Sequence, residues 1–119
     1  MASDIAGKLV VVLERAVTAP EVMSALRYAS TAAAMDMAVE VHAVGASVAL
    51  LRRGAEAGDA AWQAALAQSL ELGVEWFACP QALTGHGMTQ DDLAGGVAVR
   101  GAASLLAAGM APGGRFMVF

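Results

Sequence analysis

Five short apolar runs, separated by stretches with helical spacing, divide the chain. Lys8–Leu13 (KLVVVL) is unbroken and β-branched, the pattern of a strand covered on both faces. Thr18, Pro20 and Glu21 supply an N-cap, an early proline and a glutamate three residues on, a capping box opening a helix toward Met35. Along that helix Met23, Leu26, Ala29 or Ser30, and Ala33 recur at spacings of three and four, which predicts that they form its inner face. Residues 37–44 alternate, with Val39, Val41 and Ala43 on one face and Glu40 and His42 on the other, and Gly45 ends this second strand. Ser47 is expected to cap a short helix over 48–53, and residues 54–59 (GAEAGD) to form a polar, flexible loop. Residues 60–72 predict a helix with Trp62, Ala65 or Leu66, and Ser69 or Leu70 on one side and Gly73 at its C-cap. Residues 74–78 read as the third strand, followed by Cys79-Pro80 and a short helix ending near Gly85. Thr89 to Asp92 then caps a brief turn, residues 96–100 give a fourth strand, 102–109 a last helix, and 115–119 a fifth strand beyond Pro112-Gly113-Gly114.

Regular alternation of strand and helix argues for βαβ units with right-handed crossovers. The expected fold is therefore α/β: one domain over residues 1–119, three layers (α/β/α), around a mostly parallel five-stranded sheet. There is no internal repeat.

Composition adds a surface. With 58% hydrophobic and only 15% charged residues, the chain has fewer charges than an ordinary exterior uses, so apolar area is expected to be covered by further subunits. A transmembrane helix is rejected, because the longest small-residue stretch, 93–111, carries Arg100 near its middle. Asp4 and the lack of a long apolar run near the N-terminus do not match a secretory signal, and one cysteine makes no intrachain disulfide, which together predict a cytoplasmic protein. A formal charge of −4 without a basic run argues against nucleic acid as a partner.

Candidate chemistry follows from the parallel sheet, because such sheets bind ligands beyond the carboxyl ends of their strands. The residues there are Glu14 and Arg15, Gly45 to Ser47, Cys79, and Arg100. Cys79, the only cysteine, lies between a strand end and a proline at the first helical position, where helix N–H groups and the macrodipole favour a thiolate. Free cysteine also serves as a small buried hydrophobe, so position rather than residue type singles it out. Arg15 and Arg100, with Gly45 and Ser47, would hold a small sulfur oxyanion beside it; solvated loop charges are the plainer reading of the two arginines. His86, seven residues along, is about 10 Å of helical rise from Cys79 and reaches it only if the helix breaks at Gly85 or Gly87. His42 reads as structural or interfacial, and Trp76 and Phe77 as packing. Two isolated histidines and one cysteine give no metal-ligand set, and no dinucleotide or Walker sequence is present, so neither a metal nor a cofactor is expected.

The run Gly73-Val74-Glu75-Trp76-Phe77-Ala78-Cys79-Pro80, then Gly87-Met88-Thr89-Gln90-Asp91-Asp92-Leu93 and Gly95-Gly96-Val97, resembles the DsrE/DsrF-like family in both order and composition. The first strand and the Val44-Gly45 turn are similar as well, whereas Arg15-Ala16-Val17-Thr18 departs from the glycine often found after the first strand. The resemblance implies sulfur relay: sulfane sulfur carried as a persulfide on Cys79, sulfur donor and acceptor proteins as partners, and assembly as a homotrimer or hexamer. Two other readings are a small-molecule-binding or regulatory module whose pocket Cys79 merely lines, and a structural oligomer whose function lies in its partner.

Overall fold

The computed structural model describes residues 7–54 and 60–119. Its five strands are β1 Lys8–Leu13, β2 Ala38–Ala43, β3 Glu75–Ala78, β4 Val97–Val99 and β5 Gly114–Val118, with helices α1 Ala19–Ala34, α2 Ala60–Glu71, α3 Pro80–Gly85 and α4 Ala102–Met110. They form one sheet in the order β4-β3-β2-β1-β5 in which every neighbouring pair is parallel. The fold is α/β, as the alternating pattern predicts.

The first three crossovers step in one direction along the sheet, and the fourth returns across it to the far side of β1. Right-handed connections therefore put α1, α2 and α3 on one face and α4 on the other. On the first face Leu9, Val11, Leu13, Val39, Val41 and Trp76 pack with helix residues into the main core. Fully burying each such side chain contributes about 1.5–3 kcal/mol. Trp62 of α2 meets Trp76 edge-on, centroids 6.0 Å apart, and Trp76 Nε1 donates to the buried Ser69 hydroxyl, so the indoles lock helix to sheet. On the second face Gly109 lets α4 lie against Phe116: a Cβ there would fall inside the ring's contact distance.

The capping box at α1 is present, with Thr18 accepting from the Glu21 N–H and Glu21 from the Thr18 N–H. The inner face of α1 agrees in part with the expected one: Leu26 and Ala29 are buried and Ala33 packs against the core, but Val22, Ala25 and Ala32 complete the buried face and Met23 is exposed. Alanines on every side leave the apolar stripe ambiguous, and small residues win the position nearest the sheet because they allow close approach. Ser47 also departs from expectation. It caps no helix; its hydroxyl donates to the Leu13 carbonyl at 3.1 Å inside a 3-10 turn, Ala46–Leu51, that starts one residue earlier. The expected loop at 54–59 lies outside the described residues apart from Gly54, which has φ +85°. Gly73 closes α2 at φ +92° in its predicted C-terminal position.

Candidate functional site

Because all strands run the same way, their carboxyl ends share one edge, in the order Arg100, Cys79, Gly45, Glu14-Arg15 and Phe119 from β4 to β5. The chain leaves β3 toward the first face, where Ala82 and Leu83 of α3 join the main core, and leaves β4 toward the second, where α4 lies. Adjacent strands whose connections part in opposite directions make a topological switch point, the usual ligand crevice of such sheets. Cys79 and Arg100 stand on its two sides.

Cys79 is the N-cap of α3, with φ −72° and ψ 127° and Pro80 following it. Its N–H donates to Ala43 at 3.0 Å and its carbonyl accepts from Leu83 at 3.0 Å, so the backbone is fixed to both β2 and α3. The thiol makes no capping bond to α3 and is half-buried against the main core. Gly101, the N-cap of α4, lies close by: a Cβ on it would be 4.0 Å from Pro80 Cγ. Two helices thus begin side by side at the crevice.

The other candidates take separate places. Arg100 N–H donates to Ala78 at 3.1 Å, and its guanidinium sits 4.6 Å over the Phe77 ring and 3.4 Å from the Ser104 hydroxyl. Gly45 ends β2 beside the first face, and the Ser47 hydroxyl is committed to Leu13. Arg15 follows β1, two strands from Cys79, or about 10 Å at ordinary strand spacing. The N–H groups of Glu14, Arg15 and Ala16 converge on the Phe119 carbonyl oxygen at 2.8, 2.7 and 3.3 Å, so that loop's amides are already occupied. His86 does not swing back. Its N–H still donates to Ala82 and Leu83, its Nδ1 donates to the Ala82 carbonyl at 3.0 Å, and the break at Gly87, φ +64°, falls beyond it. Among the described residues no group of three or more His, Cys, Asp or Glu side chains is placed to hold a metal ion.

Beneath the crevice, on the second face, lies a buried hydrogen-bonded cluster built on the face of β2 to which the alternating pattern assigns Glu40 and His42. Glu40, 3% exposed, accepts from Lys8 Nζ at 2.7 Å and from His42 Nε2 at 2.8 Å, and the ring of His42, 1% exposed, lies 4.9 Å from that of Phe77, tilted by 35°. Burial pushes Glu40 up, but the bonds from Lys8 and His42 outweigh it and hold the carboxylate below its ordinary range. Burial lowers His42, and the cations Arg100 and Lys8 add to that, against the opposing pull of Glu40. A neutral imidazole with the proton on Nε2, donating to an ionised Glu40, satisfies both.

Two solved structures share this fold. The ychN protein from E. coli superposes with a TM-score of 0.81 at 19% identity, covering 95% of this chain and 99% of that one. MTH1491, a protein of unknown function from Methanobacterium thermoautotrophicum, gives a TM-score of 0.72 at 21% identity, with 96% and 98% covered. No curated protein matches the chain. The model of the DsrE/DsrF-like family matches residues 7–119, nearly the whole sequence, and the chain belongs to that family.

Proposed function

We propose that this protein is an intracellular, cytoplasmic sulfur-relay carrier whose reactive group is the Cys79 thiolate. The observation that carries the reading is the position of Cys79: the single cysteine of a DsrE/DsrF-like chain stands at the strand end beside the sheet's switch point. Family membership supports sulfur relay partners, and no helix among the described residues is long and apolar enough to cross a membrane.

The chemistry is redox-neutral exchange. The thiolate attacks the outer sulfur of a donor persulfide, the donor's S–S bond breaks, and the donor leaves as a thiolate; with thiosulfate the leaving group is sulfite. Either way Cys79 holds a persulfide. An acceptor thiolate then attacks its terminal sulfur and Cys79 leaves as the thiolate, so no oxidant or reductant is consumed. Arg100, at the same crevice, is the nearest strand-end cation along the edge and would attract a sulfur oxyanion; Arg15, Gly45 and Ser47 are the weaker candidates on geometry. Half-burial of Cys79 suits a carrier, which must shield a persulfide between partners yet leave it open to attack.

We also assign a homo-oligomer, trimer or hexamer, to this reading. The outward positions of α4 are apolar, with Leu106 53% and Met110 75% exposed, and Val118 on neighbouring β5 is 64% exposed.

The test is intact-mass measurement after incubation with thiosulfate or a low-molecular-weight persulfide. Wild type is expected to gain sulfur in a form that dithiothreitol removes, and folded Cys79→Ser to gain none. Equal loading of the two would sink the proposal.

A further inference from the structure

β5 is covered unequally. α4 packs on β1 and β5 from the second face, whereas α1, on the first, packs on β1 and β2. Beside α1 the first-face side of β5 is left as an open groove of about 730 Å³. Its lining is mainly apolar, with Leu9 and Met117 from the sheet, Ala32 from α1, and Met35 at the C-cap of that helix with Met37 just beyond. Three methionines in one groove give an adaptable, unbranched surface. Arg27 of α1 and Arg115 of β5 also line it, both exposed, and no aspartate or glutamate does. Arg115 is steadied by its bond to the Gly114 carbonyl at 2.8 Å, and Tyr28 by stacking 5.9 Å from Phe119.

We propose that this groove binds a single-chain anionic amphiphile, a free long-chain carboxylate, with the alkyl chain along the methionines and the carboxylate at Arg27 and Arg115. The volume lies within the usual range of small-molecule sites, and an apolar lining with a few charged groups to fix orientation is their usual make-up. Charge selects the occupant. A second copy docked groove to groove would bring the same two cations against each other, and a neutral chain would leave both arginines without an anionic partner.

Methyl-labelled methionine provides the readout, because Met35, Met37 and Met117 line the groove while Met110 is exposed on α4 and Met88 is buried elsewhere. Dodecanoate, titrated below its micellar concentration, is expected to shift the three groove methyls saturably and to leave Met110 unmoved. Dodecanol should bind about tenfold more weakly, and dodecyltrimethylammonium more weakly still. In the double variant Arg27→Gln, Arg115→Gln the preference for dodecanoate over dodecanol should vanish. The proposal is overturned if Met110 moves as much as the groove methyls, if the three amphiphiles bind alike, or if the double variant keeps the preference. Concentration-dependent shifts of the groove methyls without any amphiphile would also overturn it, by assigning the groove to a second copy.

Discussion

Glu40 and His42 show how much a single pair of residues can set. Both are buried and bonded to each other, and the sulfur exchange proposed at Cys79 uses neither. His42 is held below its ordinary pKa of 6.5 by burial first of all, so on acidification the unfolded chain takes up a proton that the folded one refuses. Glu40, held low by Lys8 and His42 against its burial, works in the same direction: its stabilisation is present above 4.5 and lost as pH falls through the folded value. Stability should therefore decline as pH drops below about 6.5 and again below 4.5. Urea midpoints measured in steps from pH 8 to pH 4 should show both declines, and His42→Gln should remove the upper one alone; an unchanged profile in that variant would refute the assignment. The sequence shows this pair but not its burial. In β2 the two polar residues alternate with Val39 and Val41 as they would in a half-solvated strand, and it is neighbours from other strands, Lys8 of β1 at Glu40 and Phe77 of β3 beside His42, that help to enclose them.

At the scale of elements, the strands and the starts of the four α-helices were legible, and the inner face of the longest helix only in part. β1 and the α1 cap are where the apolar run and the Thr18-Glu21 pair place them: an unbroken apolar run marks a strand buried on both faces whatever its neighbours, and the cap is decided by hydrogen bonds three residues apart. Replacing Thr18 with Ala removes one side of the box and should lower stability by about 1 kcal/mol, read as a shift in the urea midpoint with an unchanged slope. The inner face of α1 is settled by the sheet beneath it, information that lies in distant strands. Ser47 teaches the same lesson: a residue suited to capping is drawn instead to a carbonyl on β1, far away in sequence. Of the candidate site, the placement of Cys79 and Arg100 at strand ends was legible, because each directly follows an apolar run. That the two flank a switch point depends on strand order, which short-range patterns do not carry.

For the whole molecule the decisive quantity is uncovered apolar surface. α4 spans the second face with nine residues and turns Leu106 and Met110 outward, with no charged residue along its length. If this is the subunit contact, light scattering of wild type should report a species larger than a monomer. Leu106→Glu with Met110→Glu should then shift it to monomer while far-ultraviolet circular dichroism stays unchanged, and a monomeric wild type would remove the basis for the assembly. The groove beside β5 is a second uncovered surface, but its two arginines distinguish it chemically from the uncharged outer side of α4.

The order of the strands also bears on how the protein is made. β1 lies between β2 and β5, the second and the last strands of the described chain, and Lys8 pairs with Ala38 on one side and with Gly114 on the other. During synthesis the first of these pairings becomes available early, but the other edge of β1 stays bare until β5 has left the ribosome. The growing chain therefore carries a hydrophobic, hydrogen-bond-hungry edge inside its future sheet, one strand from the rim, and closing it joins segments as far apart as Lys8 and Gly114. Such an intermediate invites pairing with a neighbouring nascent chain, so speed of completion, as well as final stability, bears on the yield of folded protein.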